Sequence, residues 1–193
     1  MIPQVLVFTS GVLEQTPLHK AIVLDLLEDS RVGVVIREPT ASPALIHWLD
    51  DIIEHARASV IVHSKTPRFE TLLETHPHCG LHLPANSDPM VWRHRISGPF
   101  GQSTHDLTQV HSAFQNKVDY VTLSPVFPSI SKPGDSRQTI SLDLLQTASA
   151  QGPLFALGGI TPVNARALHH TGTHGVAVLG SIFEHGHPVD AFF

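Results

Sequence analysis

The chain has 193 residues, with 12 Lys and Arg against 17 Asp and Glu, a net charge of −5 when His is counted neutral. That length supports a buried core without disulfides or a structural metal. Its 41% hydrophobic content excludes disordered and fibrous classes, and its acidic balance disfavours a nucleic-acid partner. The lone cysteine, Cys79, allows no internal disulfide and no Cys-rich zinc site. No apolar run reaches the roughly 18 residues of a membrane span, and Met1 to Val5 lack a basic region followed by a secretory core. A soluble cytoplasmic protein is the expectation.

In chain order, apolar β-branched runs predict strands at 4–9, 32–37, 59–63, 80–83, 101–104, 120–124, 154–157 and 175–179. Helical periodicity falls between most of them. Leu18, Ile22, Val23, Leu26 and Leu27 form one stripe; Leu45, Trp48, Leu49, Ile52 and Ile53 form another. Further helices are predicted at 106–115, 141–150 and 162–170, and those after the third and fourth strands are expected to be especially short. Strict alternation implies a parallel sheet covered by helices. Strand starts near 4 and 175 give roughly 24 residues per repeat, hence eight βα units and a compact (β/α)8 TIM barrel with minimal loops. An open doubly wound sheet is the structural rival. With no linker or composition break, 1–193 reads as one domain, closed by at most a short helix after the eighth strand.

The chemistry gathers in loops that follow strands. Leu157-Gly158-Gly159-Ile160-Thr161-Pro162 follows the seventh strand and Leu179-Gly180-Ser181-Ile182 the eighth. Glycines permit tight turns and close backbone approach, and exposed N–H groups at a helix start attract phosphate; the alternative is a pair of ligand-free turns. The longest irregular stretch, 125–139, follows the sixth strand. Its Lys132 suits an anionic substrate, or else is a solvated surface lysine. In Gly101-Gln102-Ser103-Thr104-His105, Ser103 can donate to a ligand oxygen, and His105 can exchange protons or cap the next helix. Fifteen histidines invite a metal reading. Yet His76-Pro77-His78-Cys79 and His185-Gly186-His187 lack the i, i+4 pair or the spaced second pair of a zinc site. They read as surface imidazoles, with no metal site.

These segments, in this order, resemble the thiamine phosphate synthase/TenI superfamily. The carrying residues are Gly80-Leu81-His82-Leu83, Gly101 to His105, Asp119-Tyr120-Val121, Pro125 to Gly134, Gly158-Gly159-Ile160, and Gly175 to Phe183. The likeness is strong from about 80 to 184. It implies a barrel that binds thiazole phosphate through the two glycine turns. Synthases of this kind hold a pyrimidine diphosphate with a Gln-x-Arg-x-Lys strand and Mg²⁺ with an Asn-Asp-Arg motif and a further Asp. Here Arg37 persists, but Pro39 replaces the lysine, His63-Ser64-Lys65 replaces the Asp motif, and Asp88 falls one residue late.

The expectation is therefore a TenI-like thiazole phosphate protein, a cofactor-independent thiazole isomerase (tautomerase). One alternative is thiamine phosphate synthase, the only reading that would bring Mg²⁺; another is an inactive barrel that binds a thiamine precursor or a partner protein. Pro125 stands where the tautomerase pattern has a His, so His63, His82 and His105 are the acid–base candidates. Arg37, Ser103, Lys132, Gly158, Gly159, Gly180 and Ser181 are the candidate substrate-binding residues. Neither nucleic acid nor membrane is expected as a partner, and the sequence is compatible with self-association.

Overall fold

Strands covered on both faces need apolar residues at consecutive positions, which is why the predicted runs do not alternate with polar ones. The computed structural model describes residues 2–56, 59–128 and 137–193. The strands are β1 (Val5–Phe8), β2 (Val32–Ile36), β3 (Ser59–His63), β4 (Gly80–Leu83), β5 (Phe100–Thr104), β6 (Tyr120–Leu123), β7 (Leu154–Leu157) and β8 (Gly175–Val178). They lie in chain order, all parallel, and β8 pairs back onto β1 to close the barrel. The open-sheet rival is excluded.

Alternate residues of each strand serve two cores. Leu6, Phe8, Val35, Ile61, Tyr120, Phe155 and Ala177 cluster inside the barrel. Their neighbours along the strands, such as Val5, Val7, Val34 and Val62, pack outward in the larger cluster shared with the helices. The helices are α1 (Pro17–Leu26), α2 (Pro43–Ile53), α3 (Phe69–Thr75), α4 (Leu107–Gln115), α5 (Leu142–Ser149), α6 (Pro162–Ala165) and α7 (Gly180–Phe183). Side-chain caps start five of them: Thr16, Ser42, Asp106, Ser141 and Thr161 each accept an N–H from the third residue onward. Pro17, Pro43 and Pro162 occupy first-turn positions, where no N–H is needed.

The structure departs from the sequence expectation in two places. Leu18 belongs to the predicted apolar stripe of α1 but is 64% exposed; it falls in the first turn, away from the sheet, while Val23 and Leu26 are buried. The predicted helix at 162–170 is α6 followed by a 3-10 turn, Arg166–Leu168. Between β4 and β5 the helix is short, as expected: it is the 3-10 turn Pro89–Val91, capped by Asp88. Among the described residues no helix is long and apolar enough to cross a membrane.

Candidate active site

The C-terminal ends of the strands surround a cavity of about 680 Å³, within the size range of ligand pockets. One wall is made by the turns after β7 and β8. Gly158 and Gly159 have φ of 103° and 61°, a region L side chains avoid. A Cβ on Gly159 would stand 2.3 Å from the Pro128 carbonyl oxygen, and one on Gly158 2.9 Å from the Pro125 Cα. The glycines are needed because the loop after β6 lies directly on this turn. Val126 N–H donates to the Leu157 carbonyl at 2.9 Å and Phe127 N–H to the Gly158 carbonyl at 3.0 Å. Asn164 closes the turn from the other side, donating its amide to the Gly159 carbonyl at 2.8 Å and accepting from Thr161 N–H at 2.8 Å.

The Ser181 hydroxyl donates to the Ile160 carbonyl and ties the two turns together. Its backbone N–H is therefore the donor that remains for a ligand. Among the described residues, the N–H groups of Gly159, Gly180 and Ser181 donate to no acceptor within the fold. One acidic side chain approaches them: Glu184 Oε2 lies 2.9 Å from where a Gly180 Cβ would stand, and this residue is exposed.

The opposite wall is cationic. Arg37 follows β2 and donates its Nη1 to the Ser10 hydroxyl. Lys65 follows β3, and its backbone N–H donates to His63 Nδ1 at 3.0 Å. Burial, with the Arg37 and Lys65 charges adding to it, pushes the His63 imidazole down to about 3, so it is neutral. With Nδ1 accepting, its proton sits on Nε2. Glu38, next to Arg37, turns away from the cavity. It is 3% exposed and accepts from the N–H groups of Gly11 at 3.0 Å and Leu13 at 3.4 Å, shaping the loop after β1. Burial raises its pKa, and those hydrogen bonds oppose the shift.

His105 and Ser103 complete the mouth. His105 Nδ1 lies 2.9 Å from the Ser124 carbonyl oxygen. A carbonyl only accepts, so Nδ1 carries a hydrogen in this contact. His82 does not line the cavity, contrary to its expected place among the acid–base residues. It is wholly buried beneath Ser103, 2.9 Å from the Ser103 hydroxyl and 3.0 Å from the Tyr120 phenol. Burial, aided by the nearby His63 and Arg37, drives its pKa well below the usual imidazole range.

The cavity thus brings together Arg37, His63, Ser103, His105, Gly158, Gly159, Gly180 and Ser181. Lys132 lies outside the described residues. The sequence reading missed Ser10, Glu38 and Gln102. The last is buried and donates its amide to the Ser87 carbonyl at 2.8 Å, holding the loop after β4. An acid close behind an apolar strand was the one local signal for Glu38. His76 is not the surface imidazole expected: it is 3% exposed, with Nε2 2.7 Å from Asp50 Oδ1. Cys79 is buried and its thiol is pushed up to about 12.

Mg²⁺ takes oxygen ligands, carboxylates foremost. At the ends of β2 to β4 the structure presents Arg37, Lys65 and a neutral imidazole. Glu38 is engaged with backbone N–H groups, and Asp88 accepts from Met90 N–H at 2.9 Å. Among the described residues no three His, Cys, Asp or Glu side chains are grouped to hold a metal. The residues present do not fit Mg²⁺.

The sequence model of the TMP-TENI family, thiamine monophosphate synthase, matches residues 19–182. The chain belongs to that family. Among curated family members it is similar to thiamine-phosphate synthase of Synechococcus sp. (strain CC9605), 38% identical over 108 residues, covering 53% of this chain and 30% of that protein. It is also similar to thiamine-phosphate synthase of Anoxybacillus flavithermus (strain DSM 21510 / WK1), 37% identical over 94 residues, covering 47% and 43%. The match therefore spans less than half of these relatives' own length. Among solved structures, thiamine phosphate pyrophosphorylase from Pyrococcus furiosus superposes with a TM-score of 0.74 at 21% identity, over 93% of this chain and 86% of that one. Thiamine phosphate pyrophosphorylase from Bacteroides thetaiotaomicron gives 0.63 at 22% identity, over 97% and 88%. At those identities the structural likeness bears on the fold alone.

Proposed function

We propose that residues 1–193 act as one barrel that makes thiamine phosphate, joining a pyrimidine diphosphate to a thiazole phosphate at this mouth. The observation that carries the reading is the pairing of two anion-complementary walls in one cavity: backbone N–H groups of Gly159, Gly180 and Ser181 on one side, Arg37 and Lys65 on the other. A site for a single monophosphate needs only the first. The curated relatives, named as thiamine-phosphate synthases, and Pro125, where the tautomerase pattern has a His, favour joining over the isomerisation that leads the sequence reading.

In this reading the glycine turns hold the thiazole phosphate and orient its ring. Arg37 and Lys65 face the diphosphate, whose charge grows as it leaves. The C–O bond between the pyrimidine methylene and the diphosphate breaks, and oxygen keeps the electron pair. The thiazole nitrogen lone pair forms the new C–N bond. No proton moves, so the neutral state of His63 is suited to hydrogen bonding from Nε2 rather than to acid catalysis.

The test mixes protein, pyrimidine diphosphate and thiazole phosphate, in chelator and again with Mg²⁺, and follows thiamine phosphate. Product is expected in both. Its absence from both overturns this reading. A second reading, thiazole isomerisation, is favoured by one observation: His105 lines the mouth with its ring held through Nδ1 on the Ser124 carbonyl, a placement suited to acid–base work. Turnover of an exocyclic thiazole substrate, lost in His105→Gln, would establish it in place of joining. An inactive binding barrel is the outcome if neither assay gives product.

A further inference from the structure

His63, His82, Gly101 and Tyr120 are consecutive register partners across β3, β4, β5 and β6. Because the β5 position is glycine, the His82 and Tyr120 rings meet across the intervening strand, with centroids 5.6 Å apart and His82 Nδ1 3.0 Å from the phenol oxygen. On its other side His82 Nε2 lies 2.9 Å from Ser103 Oγ, and Ser103 faces the cavity. Three polar side chains thus form one line from the barrel interior to the mouth.

The direction of that line follows from counting protons. Tyr120 is fully buried, and among the described residues its hydroxyl has one partner, His82. If His82 donated from Nδ1, the phenol proton would be left unsatisfied in an apolar interior, which costs roughly 1–3 kcal/mol. A phenol that donates to Nδ1 avoids this cost. The neutral imidazole then carries its single hydrogen on Nε2 and donates to Ser103 Oγ. One lone pair of the Ser103 oxygen is thereby used, its O–H cannot donate back to His82, and that O–H is left to serve the cavity that Ser103 lines. We infer that Tyr120 and His82 are positioning residues that keep the Ser103 O–H from being used within the fold and aim it into the cavity, so that Ser103 favours an acceptor on the ligand: a ring nitrogen lone pair, a carbonyl or an ionised phosphate oxygen, in preference to an N–H.

This rests on the cavity being the ligand site, but the sense of the line is read without ligand. Long-range ¹H–¹⁵N correlation spectra of ¹⁵N-histidine-labelled protein distinguish a protonated from an unprotonated ring nitrogen. The His82 signals are assigned by their loss in His82→Asn. Nε2–H with a bare Nδ1 is expected, and Nδ1–H would overturn the inference. Tyr120→Phe keeps the ring that fills the space over Gly101 and removes only the donor; His82 should then populate both tautomers. An unchanged Nε2–H state there would overturn the role of Tyr120. The ligand arm uses two five-membered probes, thiazole (acceptor only) and pyrrole (donor only), read at the amides of residues 101–105. At least fivefold preference for thiazole is expected, narrowing in Tyr120→Phe; equal or stronger pyrrole binding at Ser103 would overturn the selectivity. If the tautomer is as stated while no thiamine phosphate forms, the functional reading fails and this inference stands.

Discussion

The Tyr120 ring occupies the space in which a side chain on Gly101 would stand: a Cβ there would lie 2.1 Å from Tyr120 Cζ. The two residues are register partners on β5 and β6. The Tyr120 phenol is in turn the partner of His82 across the same strand. Gly101→Ala should therefore overpack the barrel interior and cost about 1–3 kcal/mol, read as a lower urea midpoint. It should also break the His82–Tyr120 hydrogen bond, visible as a moved His82 ring signal. Unchanged stability would mean the interior has room that the geometry denies.

Glu184 is a like charge beside the turn proposed to hold phosphate. Its removal in Glu184→Gln should tighten thiazole phosphate binding several-fold by calorimetry at low salt. The gain should fade toward 0.5 M salt as screening shortens to a few ångströms. Weaker binding in the variant would show that the carboxylate supports the ligand, and would move the phosphate away from Gly180.

The cationic wall makes a metal claim. Inorganic pyrophosphate should bind as well in chelator as in millimolar Mg²⁺, because Arg37 and Lys65 neutralise it directly and repel a divalent cation. Lys65→Ala should weaken that binding about tenfold or more. Pyrophosphate binding that requires Mg²⁺ would mean a carboxylate outside the described residues completes a metal site.

Stability should depend on pH through the buried imidazoles. The folded-state pKa of His63 is near 3, against about 6.5 in the unfolded chain, and His82 shifts in the same direction. Below about pH 6.5 the unfolded chain binds protons that the folded one refuses, so stability falls as pH drops from 6.5 toward 3 and is level on this account above 7. Each such histidine accounts for up to about 1.4 kcal/mol per pH unit within that window. His63→Asn, which keeps an acceptor for the Lys65 N–H, should flatten part of the slope in melts at pH 5 and 7.5. An identical slope would place the pH response elsewhere.

The barrel was legible because its signals are local. Runs such as Val32 to Ile36 suit strands buried on both faces, and their alternation with helical periodicity points to a parallel sheet covered by helices. The places that misread are those in which the deciding partner is remote. His76 is buried because Asp50, 26 residues earlier, meets it. Glu38 is drawn inward by N–H groups of Gly11 and Leu13. Gly158 and Gly159 line the cavity where they were expected; what the sequence did not show is that their missing side chains also make room for Pro125 and Pro128 of the preceding loop. His82 sits at a strand end by sequence, but the glycine beside it turns it toward Tyr120 and away from the mouth.

The closure of β8 onto β1 has a consequence for how the chain is made. Val5, Leu6 and Val7 find their partners in Val176, Ala177 and Val178, and His174 Nε2 meets the Pro3 carbonyl across 171 positions of sequence. Until the ribosome has released β8, the growing sheet carries two unsatisfied borders, β1 at one side and its newest strand at the other. Such borders are templates for pairing between nascent chains, and contacts this distant in sequence form slowly. During synthesis, the half-finished sheet is thus the stage most exposed to aggregation.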